Sequence, residues 1–317
     1  MLKMNRSAVV TALKLKARPY TNKIFSGVLF IPYSSIHECS KGVSAMASRT
    51  SDPKVAMHVV NQGPGMGMPD QGPKPGIAIM MYDAHGEAHG RSEAFKWAYE
   101  LPGVHEVAAG EMSLRQIHAI AETFRDYQGN NMFWLSAPLI AEVDEKLIER
   151  AWDWYGESIQ LYEGLGVGST VLLEFMQEVH PLFLITAQDH NANRLQDAYN
   201  SSGGRGTTAW PHGGVTKKTG RRHVMQLVLG CRPDGAPANI GDIVTKQFQK
   251  AAKQIAGPGK DTGEYRIGFL HEWNDLKEIY AENWDKLREV KMAFDPKNRF
   301  NKGVDLVGGR VREGMTV

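Results

Sequence analysis

The chain has 317 residues, 42% of them hydrophobic, which is enough to bury a full core of ordinary globular composition. Lys and Arg number 37 against 35 Asp and Glu, and a formal charge of +2 points to no nucleic-acid or membrane partner. Cys39 and Cys231 stand far apart with no CxxC pair, which excludes a disulfide framework and a cysteine zinc site, and no apolar run reaches the roughly 18 residues of a membrane-spanning helix.

The first twenty residues carry Lys3, Arg6, Lys14, Lys16 and Arg18 and no acid before Glu38, a composition that imitates a mitochondrial presequence. The stretch Val9 to Lys16, however, ends in apolar/polar alternation with β-branched residues, which favours a half-buried strand. A cytoplasmic chain is therefore expected, with a mitochondrial one as the alternative. Phe25 to Ile31 reads as a strand, and Ser35 to Ser48 as a helix with Ile36, Cys39, Val43 and Met46 on its apolar face. Val55 to Asn61 and Ile77 to Tyr82 read as strands joined by a Gly/Pro loop over residues 63–76. Ser92 to Leu101 suggests a short helix, and Ser113-Leu114-Arg115-Gln116 a capping box opening a helix with Leu114, Ile117, Ala121 and Phe124 on one face. From Asp144 onward, Leu147, Ile148, Ala151, Trp152, Tyr155, Ile159 and Tyr162 keep helical spacing, and Gly164 sits where a C-cap is expected. Ser169 to Val179 and His223 to Gly230 are strand-like, and Ile240 to Ala256 is a helix closed by Gly257-Pro258. Leu276, Tyr280, Asn283, Leu287, Val290 and Phe294 recur at spacings of three and four, predicting one helix that ends at Asp295-Pro296.

Some six or seven strands interleaved with helices, many joined by loops too short for parallel crossovers, predict an α+β fold: an antiparallel sheet with helices on one face. Few stretches carry chemistry. Gly164-Leu165-Gly166-Val167-Gly168 follows a helix and precedes a strand, the reverse of a dinucleotide fingerprint, so it reads as a turn. His85 and His89, with Asp83 and Glu87 between and beside them, have the spacing of a two-histidine metal face, but Gly86 and Gly90 argue against a helix there, and no metal is expected. Asn283 is an amide on an apolar stripe. It must find hydrogen-bond partners, either as the N-cap of a helix starting there or with a ligand.

The segment Tyr280-Ala281-Glu282-Asn283-Trp284, Leu287, Lys291 and Asp295-Pro296-Lys297-Asn298-Arg299-Phe300 resembles the C-terminal signature of FAD-linked oxidoreductases of the berberine-bridge-enzyme and 6-hydroxynicotine-oxidase type, departing from it at Ala281 (Gly in the family) and Trp284 (Tyr). The resemblance implies FAD as cofactor, with Asn283 and Tyr280 on the cofactor side. Thr207-Thr208-Ala209-Trp210-Pro211-His212 resembles a substrate-domain strand of that family, which implies that Trp210 stacks on a flat substrate and that His212 binds it and exchanges protons; Gly213 stands where the family has Arg. Tyr265 matches the first position of a Tyr-x-Asn-Tyr segment whose tyrosine serves as a base, though Ile267 replaces the Asn. By the same resemblance, residues 1–36 are the edge of an FAD domain, 37–272 a substrate-binding α+β domain, and 273–317 the C-terminal return segment. The family's Gly-rich pyrophosphate loop and flavin-linking His segment are not found in this sequence. The expectation is thus an oxidoreductase-type protein acting on a small aromatic or polyketide-like metabolite, lacking the main FAD module. The alternatives are a flavin-free catalyst or binding module, and a partner subunit of a full-length oxidase. A homodimer or partner is expected to cover the apolar face of Tyr280, Leu287 and Val290.

Overall fold

The computed structural model describes residues 22–48, 52, 54–61, 73–120, 132–140, 142–175, 223–265, 267–280, 283–301 and 304–311. Its centre is a nine-stranded sheet. The strands are β1 (Ile24–Ile31), β2 (Val55–Asn61), β3 (Ile77–Asp83), β4 (His105–Met112), β5 (Met132–Ser136), β6 (Pro138–Ile140), β7 (Thr170–Glu174), β8 (His223–Cys231) and β9 (Asp261–Tyr265). They lie in the order β4-β1-β3-β2-β7-β8-β6-β9, with β5 also on β8, and their pairings are antiparallel. β5 and β6 run along successive halves of β8, separated by the single residue Ala137. The short β10 (Val304–Asp305) and β11 (Arg310–Val311) pair with each other apart from this sheet.

Alternation decides which face is covered. Phe25, Leu29 and Ile31 of β1, Ile77, Ile79 and Met81 of β3, Met57 and Val59 of β2, Val171 and Leu173 of β7, and Met225, Leu227 and Leu229 of β8 are all buried in one core. Three helices supply the other wall of that core: α1 (Ile36–Ser48), α3 (Leu147–Gln160) and α4 (Ile240–Ala256). At helical spacing α1 presents Cys39, Val43 and Met46, α3 Trp152 and Tyr155, and α4 Val244, Phe248 and Ile255, while Trp154 of α3 turns sideways onto Phe248 of α4. The two indoles meet the requirement that buried polar atoms be bonded: Trp152 Nε1 donates to Pro75 O and Trp154 Nε1 to Gln247 O. α4 ends on Gly257 at φ +90°, and Arg150 from α3 donates to the carbonyls of Ile255 and Ala256 there, a cation where the helix leaves carbonyls unpaired.

The α+β expectation of an antiparallel sheet with helices against one face describes this architecture, and β2 and α4 have the expected bounds. The strand count differs. β4 reads HEVAAGEM and is mostly exposed or half-exposed, so it has no apolar alternation to announce it; it is held by pairing with β1. β1 lies between β3 and β4, so sheet and core run across residue 36. Ser92 to Leu101 is a π-helical turn (Gly90–Ala94) followed by one α-turn (Lys96–Tyr99). The capping box closes as expected at α2 (Leu114–Ile120), with Ser113 N donating to Gln116 Oε1 and Gln116 N to Ser113 Oγ, but Leu114 is exposed. Gly164 is no C-cap: α3 stops at Gln160, and residues 163–167 form a 3₁₀ turn leading into β7, the helix-to-strand turn expected for the glycine run.

The C-terminal helix is two helices, α5 (Leu276–Tyr280) and α6 (Trp284–Phe294). Leu276, Ile279, Tyr280, Trp284 and Leu287 are buried together, while Val290 is half-buried and Phe294 is 61% exposed. Val304 and Leu306 pack on this cluster, so the chain itself covers Tyr280 and Leu287, contrary to the expectation of a bare face. Asn283 does stand at the N-cap position of α6, but its backbone is already helical (φ −90°, ψ −8°) and its side chain makes no cap bond to the helix. The helix stop holds: Asp295 accepts Lys291 Nζ and the N–H groups of Arg299 and Phe300.

Candidate functional site

The sheet face turned away from α1, α3 and α4 carries a polar row across its four central strands. Tyr82 of β3, His58 of β2, Glu174 of β7 and Gln226 of β8 all alternate with core residues, so all four project to this face. Register brings them together. His58 stands directly opposite Glu174, and cross-strand partners have Cβ atoms about 5 Å apart. Tyr82 meets His58 edge-on, with ring centroids 5.5 Å apart and planes at 69°. Gln226 Nε2 donates to Glu174 Oε1. Around the row lie the half-buried apolar side chains of Val28, Phe30, Met80, Leu172 and Val228.

Burial lowers the pKa of the His58 imidazole, and the facing Glu174 carboxylate partly opposes that. His58 is therefore held toward its neutral form, ready to accept a proton, with an anion placed to stabilise the imidazolium that results. The Tyr82 hydroxyl is pushed up by burial, so it stays protonated and can donate. The arrangement can bind a polar group on a small molecule and take a proton from it.

The residues expected from the sequence fall elsewhere. Trp210 and His212 lie outside the described residues. Tyr265 is half-buried at the end of the edge strand β9, opposite Pro138, and packs on the cluster that contains Tyr280. Burial first, then Asp261 and Glu278, push its hydroxyl up to about 12, so at neutral pH it is a donor and not a phenolate. Tyr280 is buried and stacked on Trp284, with centroids 6.3 Å apart at 18°, and Asn283 is half-buried at the turn between α5 and α6. The structure thus groups Tyr265 with Tyr280. His271, near Tyr265 in sequence, is fixed by its bond to Leu135 O and by stacking on Trp273 at 4.0 Å, and burial lowers its pKa.

The polar row was present in the sequence as four single interruptions of apolar strands: VAMHVV, IMMYD, VLLEF and VMQLVL. Each alone is an ordinary solvent-side residue. Only register makes them neighbours.

A flavin dinucleotide needs a site for its pyrophosphate, commonly backbone N–H groups at a helix N-terminus behind a glycine-rich turn. Among the described residues, α1 starts behind Tyr33-Ser34-Ser35, α3 behind Asp144-Glu145-Lys146, α4 behind Asn239 and α6 behind Asn283, none of which is glycine-rich. Tyr280 is committed to its own cluster. The described residues therefore do not fit the pyrophosphate half of FAD.

Comparison with solved structures places this architecture in the fold of flavin-linked oxidases of the berberine-bridge type, in agreement with the C-terminal resemblance. A carbohydrate oxidase from Microdochium nivale, solved with a substrate analogue, is 12% identical at a TM-score of 0.56, the match covering 88% of this chain and 54% of that one. BBE-like 1 from Physcomitrella patens is 11% identical at 0.56, covering 87% and 52%. A berberine bridge enzyme variant in complex with (S)-reticuline is 10% identical at 0.54, covering 88% and 54%. The chain spans about half the length of the structures it matches. No family description and no curated protein matches it. Among the described residues, no helix is long and apolar enough to cross a membrane.

Proposed function

We propose that this chain is the substrate-binding part of a flavin-linked oxidoreductase for a small hydroxylated molecule, aromatic or polyketide-like, and that the polar row on its sheet is where that molecule is held. The observation that carries the reading is the pairing of His58 with Glu174 at the middle of a sheet whose fold is that of flavin-linked oxidases. A substrate hydroxyl would lie on His58, lose its proton to the neutral imidazole, and leave an imidazolium facing Glu174. Gln226 fixes the carboxylate and Tyr82 donates to the bound molecule. Positioned general bases contribute about 10² to 10⁴ in rate. By the family resemblance, Trp210 and His212 would stack on and exchange protons with the same molecule, and Asn283 would face the cofactor. Because the described residues do not fit the FAD pyrophosphate, the work assigned to them is binding and proton handling.

The test is a thermal-shift screen of flat phenolic and polyketide-like compounds against the parent chain, repeated with His58→Ala and Glu174→Gln. Ligands that raise the parent melting temperature should bind each variant at least about tenfold more weakly, the effect of losing one charge-assisted bond. Ligand shifts that survive both substitutions overturn the reading. A second reading, a partner subunit of a full-length oxidase, is favoured by one observation: Met292, Phe294 and Phe300, at the end of α6 and just beyond it, are 47%, 61% and 80% exposed. Sedimentation of the chain alone and mixed with a full-length oxidase distinguishes the two.

A further inference from the structure

At the end of β3 opposite charges and imidazoles from three segments meet. Asp83, the last residue of the strand, is fully buried. Its Oδ1 accepts the backbone N–H of His85 at 2.8 Å, and its Oδ2 lies 2.6 Å from His89 Nδ1. Gly86, at φ +104°, turns the chain so that His89 comes back onto Asp83, and a short helix (Glu87–His89) runs straight into the π-helical turn at Gly90. Gly86, which argued against a helix here in the sequence, thus supplies the turn that brings His89 onto Asp83. His85 Nε2 is 2.8 Å from Asp52 Oδ2, just ahead of β2. One ligand-capable atom each from Asp83, His85 and His89 lies within 4.8 Å of the others.

We propose that Asp83, His85 and His89 form a binding site for a divalent transition-metal ion of the Zn²⁺ class. Ion pairs of His85 with Asp52, and of His89 with Asp83 and, at 3.5 Å, with Glu93, are the competing account, and the geometry weighs against it. The imidazole rings of His85 and His89 are tilted together with centroids only 4.4 Å apart. Both side chains thus converge on the buried carboxylate, and one cation held by all three would satisfy it, a buried carboxylate being costly without a cation. With His85 Nε2 held by Asp52, its Nδ1 is the atom left to ligate, and the Asp52 carboxylate then orients a ligating imidazole from outside, as carboxylates do at zinc centres. Glu87 is not part of the set, being bonded to Arg91 Nε at 2.7 Å. Zinc bonds of about 2.0–2.1 Å place neighbouring ligands roughly 3.4 Å apart, so on binding the 2.6 Å Asp83–His89 contact opens and the wider separations, now within 4.8 Å, close. Three protein ligands leave a fourth position for water. Imidazole nitrogens with a carboxylate suit Zn²⁺, Co²⁺ or Ni²⁺ far better than Mg²⁺. This proposal does not depend on the assignment of the polar row.

Tag-free chain, stripped with chelator, is titrated with Zn²⁺ by calorimetry and with Co²⁺ by visible absorption. One equivalent should bind, Co²⁺ should develop the d–d bands of a nitrogen-ligated site, and Mg²⁺ should not compete. His85→Ala and His89→Ala should each weaken Zn²⁺ by more than a hundredfold and Asp52→Asn by about ten- to a hundredfold. His37→Ala, which removes a surface histidine paired with Glu149, should leave binding unchanged. Each variant is first shown to melt cooperatively without metal, and Gln replaces Ala where it does not. No saturable binding by the parent, equal binding of Mg²⁺, or Zn²⁺ binding that survives both histidine substitutions overturns the proposal.

Discussion

The junction of β2 with β7, on which His58 and Glu174 face each other, is extended by one buried side chain, and Asn61→Leu should loosen it. The strands pair His58, Val59 and Val60 with Glu174, Leu173 and Leu172. At the next position Asn61, fully buried, takes over: its Oδ1 accepts the backbone N–H of Val171 and the hydroxyl of Thr170. Leucine fills a similar volume but leaves the buried Val171 N–H without an acceptor, which costs about 1–3 kcal/mol. Thr170 is half-buried and can turn toward water, so its loss adds little. The total is reduced because Asn61 Nδ2 has no hydrogen-bond partner among the described residues and leucine removes it. A net loss of about 1–2 kcal/mol corresponds, for a chain of this size, to a fall in melting temperature of roughly 1.5 to 3 °C. Thr170→Val, which removes only the hydroxyl, should change stability by less than about 1 kcal/mol. Both are read by chemical denaturation and thermal melting, and Asn61→Leu should also weaken any ligand that depends on His58. If Asn61→Leu melts with the parent, the side-chain bridge does not hold these strands and the argument fails.

Three other outcomes are expected. Lys291, then the N–H of Phe300, hold the Asp295 carboxyl down at about 2 against an ordinary 3.8, so its stabilising contribution is complete above about pH 4 and is lost as pH falls toward 2. Asp295→Asn should flatten the acid limb of a stability-versus-pH curve between these values, and an unchanged limb contradicts the assignment. Cys39 is buried in the core with its thiol pushed up to about 12, and burial also raises Cys231, so the native chain should resist a thiol reagent at mildly alkaline pH and yield both thiols only when denatured; rapid native labelling of either counts against the packing. The purified chain should carry well under one equivalent of FAD, read from flavin absorbance after denaturation, because its described helices start behind no glycine-rich turn; near-stoichiometric flavin would show that a cradle exists elsewhere.

What the sequence by itself determined is local. The apolar periods of Val55–Asn61 and Ile240–Ala256, the capping box at Ser113 and the stop at Asp295-Pro296 each depend on neighbours within a few residues, and their elements form as read. The C-terminal motif also pointed to a fold that the solved structures share. Tertiary structure decided the rest. β4 has no apolar alternation and exists because β1 offers it a ladder of hydrogen bonds. Along residues 276–294 the buried set took in Ile279 and Trp284 and left Phe294 exposed, because packing partners lie on that side of the cluster. Tyr82, His58, Glu174 and Gln226 come from strands far apart in the chain, and Asp52 reaches His85 across 33 positions. The polar row and the Asp52 contact have no sequence spacing to recognise, since strand register sets which side chains meet; the spacing of His85 and His89 was legible, but not the glycine turn that brings His89 onto Asp83.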